Sequence, residues 1–314
     1  MNFNHQLQVW LADTYGFTTL LALEFLQRPT AVQIVRITVS HRVYWLRLYA
    51  KSETSLEHID TEASIVEQLF RQGISVACPI YRRDGKLVGS FRDYFGVTFT
   101  NAEGTNVEDP TVEQAAALGT LVASIHAGGS TLPLSNRPVI DYALLGERSL
   151  RAVEPYLSNR RTEFKELQHI AQRMCDRIWT DGKDTKLPSG FCHGDVHLKN
   201  VKFCGTSPTI FDFEACGTGP YVYDIACYWR KRLLANEDRA ICEQEWAAFL
   251  KGYQAVRSLK QKELQAIPAL ATLRALWTMA LPALPNITWG KDWLTEPSYF
   301  DAHFKMIQDF SRTC

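Results

Sequence analysis

No run in this 314-residue chain approaches the length of a bilayer span, and its opening, M-N-F-N-H-Q-L-Q-V-W, has no basic segment ahead of an apolar core. Neither a membrane anchor nor a leader is expected, and the cytoplasm is the expected place. Surplus charge is missing too, since Lys plus Arg and Asp plus Glu each total 34. That balance offers no electrostatic footprint for nucleic acid or an anionic membrane, and it argues mildly against a polycationic substrate. The eight cysteines contain no C-x-x-C pair, so neither a zinc ribbon nor a thioredoxin-type site is indicated. There is no internal repeat, heptad run or low-complexity tract. What remains, 46% hydrophobic and 22% charged over 314 residues, is a folded chain long enough for two lobes.

One stretch concentrates chemistry. From Phe191 to Asp224 the chain reads F-C-H-G-D-V-H-L-K-N-V-K-F, then T-I-F-D-F-E-A, then G-P-Y-V-Y-D. Gly194 permits a tight turn with Asp195 at its tip. Asn200 precedes the β-prone run Val201 to Cys204, Gly205 and Pro208 bracket a turn, and Thr209 to Phe213 read as a second strand carrying Asp212. Such a hairpin can bring Asp195, Asn200 and Asp212 to one mouth. Magnesium prefers one or two side-chain oxygens besides phosphate and water. A remaining carboxylate can orient a hydroxyl and take its proton. A lone aspartate at a turn or strand end is ordinarily a cap; four polar residues in one spacing are what tilt the reading toward chemistry.

His193, Asp195 and Asn200 fill the H-x-D-x-x-x-x-N spacing of a kinase catalytic loop, with Asp212, Phe213 and Glu214 where D-F-G would stand. The loop H-G-D-x-H-x-x-N, the strand end I-x-D-F-E and the later G-P-x-x-x-D-I-A resemble the aminoglycoside phosphotransferase and choline kinase superfamily, which includes homoserine kinase and bacterial stress-response kinases. The resemblance implies an α+β, protein-kinase-like fold. A small antiparallel β-rich lobe is expected over residues 1–100, a linker over 101–110, and a larger, mainly helical lobe over 111–314. It also implies Mg²⁺-dependent transfer of the γ-phosphate of ATP, with GTP left open, to a hydroxyl of a small molecule such as an aminoglycoside, amino alcohol, homoserine or sugar. Asp195 would be the base, and Asn200 and Asp212 the metal ligands. Asp224 opens an apolar helix, where an N-cap role suffices; the family pattern makes it a buried support for the catalytic loop. His193 and His126 read as packed scaffold.

The rest of the chain is read against that template. Residues 5 to 14 have helical period, and Thr19 to Leu26, Ala31 to Val39 and Val43 to Tyr49 form an antiparallel meander. The glycine-rich loop expected there is missing, because L-Q-R-P-T-A has no glycine; backbone amides of Arg28 to Ala31 are left to meet phosphate. Arg47 stands where the strand lysine would sit and keeps its positive charge. The superfamily's helix glutamate, which steadies that cation, corresponds to Glu62 in the helix Ser55 to Gln72. Strands follow at Pro79 to Arg83, Lys86 to Phe91 and Tyr94 to Thr100, and the adenine is expected near Thr98 and Thr100, with Val32, Leu46 and Leu87 as apolar walls. Helices are expected at 111–127, 139–156, 160–179, 223–234, 238–256, 261–279 and 297–311. After Asp212 the chain reaches G-P-Y within eight residues, with no A-P-E segment for docking a peptide, so a small acceptor ranks above a protein serine or threonine. A nucleotide-binding pseudokinase is the rival from another class.

Overall fold

The computed structural model describes residues 2–17, 20–26, 32–132, 134, 136–179, 186–235, 239–284 and 290–313. The expected phosphate-covering segment Arg28 to Ala31 lies outside the described residues. Helix α1 (Phe3–Tyr15) is capped by the Asn2 side chain and ended by left-handed Gly16. Strands β1 (Leu20–Leu26), β2 (Gln33–Val39) and β3 (Arg42–Ala50) then form the expected meander. The β2–β3 turn closes on Ser40 and His41 with φ of 44° and 70°, the conformation a two-residue hairpin requires. Helix α2 (Leu56–Arg71) follows, then β4 (Gly89–Phe91) and β5 (Tyr94–Thr100), giving one sheet in the order β1-β2-β3-β5-β4.

The period-2 pattern places Val35, Ile37, Leu46 and Leu48 against Leu7 and Leu11 of α1. On the opposite face Tyr49 and Val97 pack on Ile59 and Ala63 of α2, whose Ile65, Val66 and Leu69 run on into the larger core. Residues 79–83 run beside β5 without becoming a strand. The contact stops after the Thr100 N–H on the Cys78 carbonyl and the Ile80 N–H on the Thr98 carbonyl, both 2.8 Å, because β4 takes the same edge of β5 from Gly96 onward.

The second part is helical: α3 (Val112–Gly128), with a Thr111–Gln114 capping box, α4 (Arg148–Val153) and α5 (Arg161–Trp179). Two short antiparallel pairs carry the site. Strand β6 (Ser189–Cys192) pairs with β9 (Gly217–Pro220), and β7 (Val201–Cys204) with β8 (Ser207–Ile210). Strand β8 ends at Ile210, three residues before the expected Phe213. Helices α6 (Val222–Ala235), α7 (Arg239–Gln254), α8 (Gln261–Ala280) and α9 (Pro297–Arg312) complete the chain. The expected helix over 139–156 is broken into a π-helical turn at Ala143–Glu147, α4 and a 3₁₀ turn at Glu154–Leu157. Against the expectation that no run is long enough, Gln261–Ala283, α8 with the 3₁₀ turn after it, could cross a membrane on length and composition alone. Its side chains are buried on nearly every side among α4, α5, α6 and α9, which makes it the spine of the helical core.

Candidate active site

The turn that carries Asp195 hangs between β6 and α6. Gly194 has φ of 85°, and a Cβ there would meet the Ala215 carbonyl oxygen at 2.1 Å, so only glycine fits. Asp224, fully buried in the first turn of α6, accepts the backbone N–H of His193 at 2.7 Å and of Gly194 at 2.8 Å. Its Oδ2 also lies 2.9 Å from His126 Nε2, whose Nδ1 is 2.7 Å from the Tyr253 hydroxyl. The buried aspartate therefore supports the loop rather than merely capping a helix.

His193 is fully buried and links the two halves of the site. Its Nδ1 accepts the Asp195 N–H at 3.2 Å, and its Nε2 lies 3.1 Å from the Phe211 carbonyl. A carbonyl partner requires the proton on Nε2, so the ring is neutral; burial also pulls its pKa down, against the nearby Asp224, Asp195 and Asp212.

Asp195 meets two basic side chains. Its Oδ1 is 2.7 Å from Arg274 Nη2 and its Oδ2 is 3.3 Å from His197 Nε2. Burial opposes its charge, but Arg274, helped by His197, holds the carboxyl well below the usual range. Asn200 gives its Nδ2–H to the Asp195 carbonyl at 3.1 Å, leaving Oδ1 as the atom suited to a cation. Asp212 is not a strand residue: its φ is 72°, a left-handed conformation that aspartate tolerates better than most side chains. Arg47 Nη2 lies 2.8 Å from Asp212 Oδ1, and Arg47 Nη1 is 3.6 Å from Glu62. Burial again opposes the charge on Asp212, and Arg47 overrides it to lower the pKa. Glu62, 3% exposed, is pushed up to about 7 by burial despite Arg47 and Arg137.

These side chains face a cleft with about 900 Å³ of open space, lined by Arg47, Glu62, Asn200 and Asp212 at one end and by Leu26, Ile34, Val66, Ala77, Phe99 and Phe211 as apolar walls. Asp195 stands next to it through Asn200, and Thr100 lines it. Thr98 does not; it is fully buried, and its carbonyl is taken by Ile80. The expected walls differ as well: Leu46 faces α1, and Leu87 packs against α2 on the other side of the sheet from α1.

Two arginines that touch the candidate site were not anticipated. Arg274 is the one charged residue between Glu263 and the end of α8, a visible signal in an otherwise uncharged run. Arg137 grips the segment after Asp212, with Nε on the Cys216 carbonyl at 3.0 Å and Nη2 on the carbonyls of Phe213 and Glu214. Nothing in its sequence neighbourhood marks it.

The profile of the phosphotransferase enzyme family matches residues 27–286. A homoserine kinase from Chelativorans sp. (strain BNC1) is 31% identical over 253 residues, covering 74% of this chain and 69% of that one. Among solved structures, an amicoumacin kinase in complex with AMP-PNP, Ca²⁺ and Ami superposes with a TM-score of 0.78 at 20% identity, over 99% of this chain and 94% of that chain. A spectinomycin phosphotransferase with ADP and spectinomycin gives 0.70 at 15%, over 98% of each. The kinase-like fold is shared with both.

Proposed function

Because this chain belongs to the phosphotransferase enzyme family, we propose that it moves the γ-phosphate of ATP, with Mg²⁺, onto a hydroxyl of a small molecule. The reading is carried by one observation: an ionised Asp195, fixed by Arg274, stands beside a cleft whose same end holds Asn200, Asp212 and the Arg47–Glu62 pair. Asp195 would orient the acceptor hydroxyl and take its proton late, as a weak base can when the transition state is loose. Arg47, held by Glu62, would meet the phosphates with two donors.

The donor set fits a magnesium-nucleotide. Asn200 Oδ1 and the second oxygen of Asp212 are hard oxygen ligands of the number Mg²⁺ takes from protein. Held by these two residues, Mg²⁺ would supply charge neutralisation at the phosphate oxygens. The base would lie between Phe99, Ala77 and Ile34, reaching past Thr100 toward Ala102. The division into residues 1–100, 101–110 and 111–314 belongs to the same reading, as does a cytoplasmic setting where ATP is at hand.

The test is incubation of the purified protein with γ-labelled ATP, Mg²⁺ and a library of alcohols, beside an acceptor-free control. Label transferred to a small alcohol supports the reading. Label found on protein alone, or retained in ATP throughout, contradicts it.

A further inference from the structure

Resting on that phosphotransferase reading, we propose that the acceptor alcohol carries a carboxylate, and that Arg230 binds it one helical turn beyond the catalytic loop. Tyr223, Cys227 and Arg230 occupy positions i, i+4 and i+7 of α6 and so share a face. That face is turned to the site. The Tyr223 hydroxyl is 2.9 Å from Arg274 Nη1, and Cys227 Sγ is 3.9 Å from the Gly194 carbonyl. Arg230 is the next member of the stripe, 3% exposed, with Nη1 at 3.7 Å from Met306 Sδ of α9.

A buried guanidinium ordinarily has an acid to pair with. Among the described residues Arg230 has none: the methionine sulfur is its partner, and its Nε meets no acceptor. Arg274, 5% exposed, likewise has a buried Nε without an acceptor. The two cations feel one another, since burial and then the charge of Arg274 depress the pKa of Arg230. His303 of α9 supplies no anion; its Nδ1 lies 2.8 Å from the Tyr299 carbonyl, and burial lowers its pKa.

The charges choose the ligand. Arg274 is offset by Asp195, which leaves the single positive charge of Arg230 and favours a monoanion with two oxygens for the guanidinium fork. A carboxylate has that form. A cationic acceptor of the aminoglycoside kind would be brought up against a guanidinium that no acid among the described residues pairs with.

The experiment measures kcat/KM with Mg·ATP for ω-hydroxy acids, L-homoserine among them, each against its carboxamide, and for alcohols bearing a phosphate monoester or an amine. The wild-type chain is expected to favour carboxylates over their amides by about 100-fold or more. In Arg230→Met that ratio should fall to within about tenfold through a higher KM for the acid, with the KM for ATP unchanged. Arg230→Lys should fall between, keeping the charge without the fork. If Arg230→Met does not fold, the wild-type ratio and the lysine variant decide. Equal turnover of acids, amides and amines, a preference for phosphate monoesters, or an unchanged ratio in the variants overturns the proposal while leaving phosphotransfer standing. Failure of wild-type protein to phosphorylate any alcohol removes both.

Discussion

Arg274 Nη2 stands 2.7 Å from Asp195 Oδ1 while its Nη1 holds the Gly194 carbonyl at 2.9 Å, so one guanidinium fixes both the carboxylate and the backbone of the catalytic turn. The Trp277 ring lies under it at 4.2 Å. Removing the cation leaves burial to act on Asp195 with His197 as the side chain that opposes it. In Arg274→Gln the Asp195 carboxyl is therefore expected to titrate higher, bringing an acid limb into the pH dependence of kcat where wild type has none. A fall in kcat of about 10- to 100-fold should accompany it, with ATP affinity nearly unchanged. Profiles of kcat from pH 5 to 9 for the two proteins check this.

Glu62 supplies a pH effect of the opposite kind. Its pKa of about 7 lies above the ordinary value of 4.5, so between those limits the folded chain binds more protons than the unfolded one. Stability from this group accordingly falls as pH rises through that window. Glu62→Gln lacks the titration, and its melting temperature should gain on wild type between pH 5 and 7.5. A constant gap across that range would contradict the assignment.

Asp224 is expected to act through the fold first. Asp224→Ala leaves the N–H groups of His193 and Gly194 and the His126 ring without their acceptor in a region with no solvent. A loss of about 3–5 kcal/mol is the scale for breaking such a buried set. Urea denaturation should show it as a lower midpoint with an unchanged slope. Activity at low temperature should fall too, because Asp195 rides on the same turn.

Much of this was readable from the chain because the relevant signals are local. The spacing His193–Asp195–Asn200, the alternation in β2 and β3, and the helical period around Glu62 each lie within a few residues. The unreadable parts come from contacts distant in sequence. Arg274 meets Asp195 across 79 residues, and Arg137 reaches Cys216 across the same interval. Strands β6 and β9, S-G-F-C and G-T-G-P, exist through each other's hydrogen bonds and have no strand pattern of their own. The strand expected at 79–83 stops after Ile80 because β4, later in the chain, takes that edge of β5, and the extension of β8 to Phe213 failed because Asp212 turns left-handed to meet Arg47. Thr98 was placed at the nucleotide from its position in the strand, without the segment 78–80 that covers that edge.

The central claim is that Asp195 acts on the acceptor while Asp212 acts on the metal-nucleotide. Mg²⁺-dependent ATP binding by calorimetry, set beside phosphoryl transfer, for wild type, Asp195→Ala and Asp212→Ala tests it most directly. Asp195→Ala should bind Mg·ATP like wild type and transfer nothing, whereas Asp212→Ala should lose the magnesium-dependent part of the binding. Turnover retained in both variants would contradict the account.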